Sequence, residues 1–491
     1  MIKNWYYCLT SLFKMKNYRL RYQNRIIILS VFLLFFINKN ALSFSVSKSN
    51  PYPQGQIVDT IFCKKDSSQR YALYLPINYN ENKEWSVIYI LEPGARAKMP
   101  LDSLKKTADH YGYILASSYN SHNGDWGEMF EANKFMAEDV ETRFSVNQDR
   151  RYVCGFSGGS RGAMAIAVLS GNVKGVIGCG AGFPNLKEYC PTSKSAFVYY
   201  GLVGNADMNY LEMLEMEDYF KKIGMISQIQ TFNAGHIWPS QELLNDAVEW
   251  MELQAMNEKI IELDTTFINN QFLKCTSLGK QLFNEGKLAE TVKIYNYITI
   301  DFSSYFDVSG FQQEIEKIEQ TKAYLNEQSE WGKIRNEENM LIDSYQTAMS
   351  QNRFEGNLAD SNLIWWGNQI SYLNRLEKNK NENKRLMASR LISSLTSSFV
   401  QNGSDFLSIK QYKEAALQFK LWTIISPENR GAHYNLARAY ALSGQKRNAI
   451  ESLEMALKLG FQRLELLKED SAFNSIREEK KFKLLVSNLN E

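Results

Sequence analysis

The sequence predicts an α/β domain with a mostly parallel sheet, followed by an all-helical region. Between about residues 56 and 235, short runs rich in β-branched and aromatic residues alternate with longer amphipathic segments, as in strands joined by helices. Beyond about residue 258, apolar residues recur with a helical period almost throughout. The composition is that of a globular protein, since 44% of the 491 residues are hydrophobic and 22% are charged.

Seven apolar runs predict the strands of the first domain. They are "RYALYLP" (70–76), "WSVIYIL" (85–91), "YILASS" (113–118), "RRYVCGF" (150–156), "VKGVIGCGA" (173–181), "AFVYYGLVG" (196–204) and "SQIQTFNA" (227–234). Helices are predicted between them, including "NKFMAEDVETRF" before the fourth strand and "YLEMLEMEDYFKKIG" after the sixth. The helix "QELLNDAVEWMELQAMNEKI" closes the domain near residue 258.

Residues 1–43 have the three parts of a secretory signal. Basic residues extend to Arg25, the apolar run "IIILSVFLLFFI" follows, and the small residues Ala41 and Ser43 precede a cleavage site. We therefore predict export to the periplasm or the extracellular space. The alternative is an uncleaved membrane anchor, although this run is short of the roughly 20 apolar residues that cross a bilayer.

The second half is predicted to consist of a helical region over 259–390 and tetratricopeptide-like repeats over 391–491. The segment "AHYNLARAYALSGQKRNAIESLEMALKLG" has small and apolar residues at the spacings of a 34-residue helical hairpin repeat. These residues are Leu436, Ala437, Tyr440, Gly444, Ala449, Leu453 and Ala456, with Ala415, Phe419 and Pro427 in phase one repeat earlier. Such stacks commonly bind extended ligands, so a protein partner is predicted for this half.

Charge and cysteine content restrict the classes of function. The net charge of +2 comes from 56 basic and 54 acidic residues without long like-charge blocks, which gives no electrostatic basis for nucleic-acid binding. No cysteine or histidine pair has zinc-ligand spacing, so neither a metal nor a cofactor is predicted. Cys179 and Cys190 are close enough in sequence to form a disulfide, but spacing alone does not establish one.

The stretch "YVCGFSGGSRGA" contains two overlapping Gly-x-Ser-x-Gly patterns, centred on Ser157 and Ser160. A nucleophile elbow requires the strand to end immediately before the serine and a helix to begin immediately after it. "RRYVCGF" is that strand, so Ser157 is the predicted nucleophile. Ser160 falls three residues later, in the first turn of the helix, where a polar residue has an ordinary structural explanation.

A serine nucleophile needs a base, and the base needs an acid that fixes its tautomer. Of the four histidines, only His236 follows Ser157 in a loop after a predicted strand, in "NAGHIWPS". Asp207 comes directly after "AFVYYGLVG" and is the predicted acid. The next carboxylates, Glu212, Glu215, Glu217 and Asp218, are interpreted as the solvated face of an amphipathic helix.

Attack on a carbonyl creates an oxyanion that needs two donors. The backbone N–H of Gly158, directly after the nucleophile, is the predicted first donor. The second is expected from the loop after "WSVIYIL", where Gly94, Ala95 and Arg96 are the candidates, because a glycine lets the backbone approach the substrate closely.

Three segments together, "RRYVCGFSGGSRGA", "YYGLVGNADMNYLEM" and "FNAGHIWP", resemble the α/β-hydrolase esterases grouped with polyhydroxybutyrate depolymerases and feruloyl esterases. The resemblance covers about residues 55–255 and implies an α/β-hydrolase domain over 55–258 with Ser157, Asp207 and His236 as its triad. Glu92 stands where such loops often carry a neutral residue or an aspartate, and "NAGH" replaces a more usual double glycine before the histidine. Both departures concern the substrate more than the reaction.

The sequence therefore predicts an exported serine esterase that forms an acyl-enzyme on Ser157. Its predicted substrate is an ester, and an ester linked to a polymer or to a carbohydrate is one alternative. An acyltransferase or a peptidase on the same triad is the first alternative, because the triad does not define the acceptor or the leaving group. A non-catalytic interaction protein is the second, although a decayed site would be expected to lose at least one triad member.

No candidate catalytic residue lies beyond His236, so the first half is predicted to suffice for small esters. Alternatively, residues 260–390 pack over the active-site mouth as a lid.

Overall fold

The structure is a computed structural model that describes residues 51–355 and 360–487, so the signal predicted for 1–43 lies outside it. One eight-stranded sheet has the order β1-β2-β4-β3-β5-β6-β7-β8. The strands β1 and β2 pair antiparallel, as do β2 and β4, and every other pair is parallel. The strands are β1 Ile57–Phe62, β2 Arg70–Tyr74, β3 Trp85–Leu91, β4 Tyr113–Ser118, β5 Val146–Phe156, β6 Gly175–Cys179, β7 Val198–Gly204 and β8 Ser227–Phe232.

The predicted fold class is confirmed, and the strand order is that of the α/β-hydrolase fold. All seven predicted strands form, and β1 is an additional edge strand that the sequence analysis missed. Most of β1 is partly or fully exposed, so its residues lack the continuous apolar run that marks the buried parallel strands.

Helices cover both faces of the sheet. They are α1 Lys98–Tyr111, α2 Trp126–Arg143, α3 Gly158–Ser170, α4 Tyr210–Ile223 and α5 Gln241–Asn257. Apolar residues of α2, α3 and α4, such as Met136, Met164 and Phe220, pack in the core on one face. Residues of α1 and α5, such as Leu104 and Val248, pack on the other. The sheet is therefore buried on both sides, as parallel sheets generally are.

The rest of the described chain is helical. The helices are α6 Thr265–Asn284, α7 Leu288–Asp301, α8 Ser309–Glu319, α9 Lys322–Glu355, α10 Asp360–Leu376, α11 Glu382–Ser408, α12 Tyr412–Ile425, α13 Arg430–Leu442, α14 Lys446–Lys458, α15 Leu464–Glu469 and α16 Lys480–Ser487. Small residues allow close packing here: a methyl group added at Gly403 would lie 2.5 Å from the ring of Phe419. The residues Ala415, Leu436, Ala449 and Leu453 are buried. The tetratricopeptide-like repeat itself stays a prediction.

The helical half packs directly on the edge of the sheet. The edge strand β8 offers its Ile229 N–H to the hydroxyl oxygen of Tyr297 on α7, at 2.9 Å. Asp301, at the end of α7, accepts hydrogen bonds from Gln228 of β8 and Trp250 of α5. A helix that forms hydrogen bonds with the backbone groups of an edge strand blocks pairing of that strand with another chain.

Within the described residues, no helix has both the length and the apolar character that a bilayer span requires. Cys63, Cys154, Cys179, Cys190 and Cys275 carry free thiols there, so Cys179 and Cys190 are not bridged in this structure. Burial raises the pKa of the Cys179 thiol well above its usual value.

Candidate active site

Ser157 lies at the tip of the turn between β5 and α3, in a strained backbone conformation with φ 53° and ψ −120°. The flanking glycines are required by close backbone contacts. A methyl group at Gly155 would lie 2.1 Å from the carbonyl oxygen of Gly159, and one at Gly159 would lie 2.0 Å from that of Leu91. Positive φ is costly for a residue other than glycine and is typically retained where it serves a functional site. The turn thereby exposes the serine hydroxyl at the end of the sheet.

His236 connects Ser157 to Asp207. Its Nε2 is 2.9 Å from the Oγ of Ser157, and its Nδ1 is 2.8 Å from Oδ2 of Asp207. The other carboxylate oxygen of Asp207 accepts the backbone N–H of Asn209 at 2.8 Å, and the Asp207 side chain is buried. The structure thus brings the three predicted triad residues into one hydrogen-bonded chain from three different loops.

Ser160 is placed differently. Its side chain is fully buried, and its hydroxyl donates to the carbonyl oxygen of Ala181 at 2.6 Å. It is therefore not available to a substrate, in agreement with the structural explanation of the second Gly-x-Ser-x-Gly pattern.

The loop after β3 has its amide groups occupied by Glu92. The carboxylate of Glu92 accepts the N–H groups of Gly94 and Arg96 at 2.9 and 2.8 Å, and its backbone oxygen accepts that of Ala95 at 3.0 Å. The Arg96 guanidinium pairs with the same carboxylate. Burial of Glu92 acts to raise its pKa, but the hydrogen bonds from Arg96 and Gly94 outweigh it, so the pKa is lowered. Since their N–H groups are engaged, Gly94, Ala95 and Arg96 do not present an open second oxyanion donor.

Gly158 begins α3, and its N–H has no acceptor among the described residues. The side chain of Asn123 lies directly over it, because a methyl group at Gly158 would be only 1.8 Å from Oδ1 of Asn123. The Asn123 amide has no hydrogen-bond partner within 51–355 and 360–487, and it lines the cavity above Ser157. An open backbone donor and an open side-chain amide therefore flank the nucleophile.

Ser157 opens into a cavity of about 730 Å³ between the sheet domain and the helical half. Asn123, Trp126 and Arg161 line one side of it, while Gln346 and Met349 of α9 and a row of polar residues of α11 line the other. The first half of the chain, which is predicted to suffice for small esters, therefore lacks the residues that form one wall of the cavity. The wall is formed by α9 within 260–390 and by α11, which spans the predicted boundary at 390.

Three features of the site were missed by sequence reasoning. Gly180 (φ 66°) leaves room beside the triad, since a methyl group there would lie 3.2 Å from Oδ2 of Asp207 and 3.3 Å from Cε1 of His236. Phe156 packs against the His236 ring with centroids 4.7 Å apart. Asn123 lies in a stretch of polar residues that, in the sequence, is typical of any loop. None of these has a local sequence signal, because each acts through residues distant in the chain.

The prediction that the α4 carboxylates are solvated holds for Asp218, which is exposed, but not for the other three. Glu212 forms a two-point ion pair with Arg161, at 2.5 and 2.7 Å. Glu217 pairs with Lys293 of α7 at 2.7 Å, and Glu215 pairs with Arg335 of α9 at 2.9 Å. Glu215 and Glu217 thus connect α4 with the helical half, whereas the Glu212 pair lies within the sheet domain.

No family model matches the chain. No curated protein matches it either. Solved structures that are similar include the S-formylglutathione hydrolase of Staphylococcus aureus, at 16% identity over 37% of this chain and 92% of that one, with a TM-score of 0.33. A fluorophosphonate-binding serine hydrolase of the same organism has 15% identity over 40% and 99%, with a TM-score of 0.35. A ferulic acid esterase has 18% identity over 39% and 94%, with a TM-score of 0.32.

Proposed function

We propose that this protein is a serine hydrolase that cleaves carboxylic esters through an acyl-enzyme on Ser157. The observation that carries the proposal is the continuous chain of hydrogen bonds from Ser157 through His236 to the buried Asp207. Ser157 lies at a strained turn, and its hydroxyl opens into a cavity. A structural serine would need neither the strain nor the base.

The reaction follows from these positions. The Oγ of Ser157 attacks the ester carbonyl carbon while its proton passes to Nε2 of His236. His236 then protonates the leaving alcohol as the ester C–O bond breaks, which leaves the acyl group on Ser157. A water molecule gives its proton to His236 and attacks the acyl carbon, and the acid leaves as the proton returns to Ser157. Throughout, Asp207 holds Nδ1 of His236 as the donor and stabilises the imidazolium.

The oxyanion would accept hydrogen bonds from two donors next to Ser157. The Gly158 N–H, which has no acceptor among the described residues, is the first. For the second, the predicted N–H groups of Gly94, Ala95 and Arg96 are held by Glu92, whereas the Asn123 amide lies over Gly158 without a partner in the described chain. Side-chain amides serve as oxyanion donors in other hydrolases. We therefore assign this role to Asn123.

Export is part of the proposal and is supported only by the sequence of residues 1–43. A protein partner of the predicted repeats likewise remains an expectation.

The test is labelling with a fluorophosphonate probe, followed by hydrolysis of 4-nitrophenyl acetate. The wild type is expected to react with the probe and to turn over the ester. Ser157→Ala is expected to lose labelling and at least about a thousandfold in kcat, because it removes the nucleophile. Ser160→Ala is the matched control and is expected to keep both activities, with some loss of stability from its buried hydrogen bond. Labelling of Ser157→Ala, or an unlabelled wild type, would exclude the proposed function.

A further inference from the structure

A second cavity of about 270 Å³ lies where the helical half packs against the edge of the sheet. Its lining comes from β7 and β8 of the sheet and from the helices α5, α6 and α7. Among the described residues, it shares no lining residue with the cavity above Ser157. We call this space the junction cavity, and it is distinct from the site of the proposed reaction.

Opposite charges are paired along the lining of the junction cavity. Lys274 of α6 pairs with Asp246 of α5 at 2.6 Å, and Lys293 of α7 pairs with Glu217 of α4 at 2.7 Å. Asp301 accepts hydrogen bonds from three side chains of β8 and α5. A charged ligand inside the cavity would have to displace one of these partners and leave a protein charge unpaired.

The other polar side chains of the lining are also satisfied. Those with hydrogen bonds to other side chains are Tyr200, Gln228, Gln230, Gln271 and Tyr297. Thr231 and Glu290 are exposed to solvent. Within the described chain, no nitrogen or oxygen atom of a lining side chain is both buried and without a partner. A hydroxyl or amide group on a ligand would therefore lose its own water in this cavity without gaining a partner.

The remaining lining is apolar. It includes Trp250, Leu253, Leu278, Leu282, Ile294 and Phe302. Burial raises the pKa of the Cys275 thiol to about 12, so this cysteine stays protonated at neutral pH and acts as a further small apolar group. Protein interiors leave few empty spaces larger than a water molecule. An apolar cavity of about 150 Å³ in another protein stays dry and binds benzene, and the junction cavity has room for a molecule of at least that size.

We propose that the junction cavity is a second binding site and that its ligand is a small, neutral, apolar molecule, about the size of a benzene ring with a short side chain. The protein itself uses the charged and polar groups of the lining, whereas the apolar surface is left uncovered. Transfer of an apolar molecule from water to such a surface is favourable and needs no polar partner. Since the walls come from both halves of the chain, an occupant contacts both and stabilises their packing. The site does not depend on the proposed function.

The experiment measures the melting temperature of the full chain with toluene, benzoate and benzylamine, which share one aromatic ring. At neutral pH toluene is uncharged, benzoate is an anion and benzylamine is a cation, and all three are compared at one concentration and one ionic strength. Toluene is expected to raise the melting temperature by an amount that grows with its concentration, because it binds the folded state alone. Neither charged compound is expected to raise it.

Two variants locate the site. Cys275→Phe places a ring in the junction cavity and is expected to abolish the shift with toluene. Cys275→Leu fills less of the space and is expected to reduce the shift, so it provides the test if the larger residue prevents folding. Leu273→Phe is the matched control, because Leu273 lies on the same helix and is 59% exposed. It is expected to keep the wild-type shift.

A wild-type melting temperature that toluene leaves unchanged would overturn the proposal. So would a shift that both Cys275 variants retain in full, because toluene would then bind elsewhere. An equal shift with benzoate or benzylamine would also overturn it, because the cavity would then present an open charge. Labelling by the fluorophosphonate probe is independent of each of these results, so the proposed function is tested separately.

Discussion

Arg390 of α11 donates a hydrogen bond of 2.8 Å from Nη1 to the backbone carbonyl of Asn205, two residues before the acid Asp207. Its guanidinium also forms a two-point ion pair with Glu338 of α9, in which both side chains are 3% exposed, and lies 4.9 Å from the centre of the Tyr210 ring. The helical half thus holds the loop that carries the triad acid. A buried charged group is rigid when all of its hydrogen bonds are made, so Arg390 is a positioning residue for Asp207.

We expect Arg390→Met combined with Glu338→Met to lower kcat by about tenfold to a hundredfold with little change in KM, because small displacements of a triad member are costly. Replacing both partners avoids an unpaired buried carboxylate, which alone would cost about 3–5 kcal/mol. The test is to measure kcat and KM by steady-state kinetics and the melting temperature on the same samples.

The control is Arg438→Met, which removes an arginine from a distant ion pair with Asp470. It should leave kcat unchanged. If kcat falls together with the melting temperature both in the Arg390→Met, Glu338→Met variant and in Arg438→Met, then Arg390 acts only on stability.

Asn123→Ala is expected to lower kcat by about a hundredfold to a thousandfold, which is the usual cost of one oxyanion donor. KM for a small ester should change little, since the donor acts on charge that develops in the transition state. The matched control is Asn185→Ala, an exposed amide of the same cavity. If Asn123→Ala retains full kcat, the second donor must be sought in the loop held by Glu92.

Asp301 predicts a pH dependence of stability at the junction of the two halves. Burial raises its pKa from 3.8 to about 6, in spite of hydrogen bonds from Trp250, Gln254 and Gln228. The folded state therefore binds one more proton than the unfolded state between these values. Stability must then fall as pH rises through this window, by at most about 3 kcal/mol for such a shift.

Asp301→Asn removes the titration. We expect the free energy of unfolding of the wild type, measured relative to this variant, to decrease between pH 4 and pH 6.5 and then to level off. Asp307→Asn is the control, because the pKa of Asp307 is lowered by Ser309 and its titration falls below this window. A constant difference between the wild type and Asp301→Asn would show that folding leaves the pKa of Asp301 unchanged, which contradicts the prediction.

Much of the sheet domain could be predicted because its signals are local. The parallel strands are buried on both faces and therefore form continuous apolar runs such as "WSVIYIL". The elbow at Ser157 depends on glycines two residues away on either side, and Asp207 and His236 each follow a strand directly. A short segment is sufficient to recognise each of these.

The sequence by itself determined the fold class, the elbow serine and the residues that the structure brings to it. The tertiary structure alone decided what surrounds them: Glu92 occupying the amides of its own loop, Asn123 over Gly158, α11 as a cavity wall and Arg390 on the Asn205 carbonyl. The physical reason is the distance along the chain. Arg390 and Asn205 are 185 residues apart, and a helix that packs against another domain has the same period as one that faces water. Only the packing of the helical half against the sheet domain shows which polar face meets the active site.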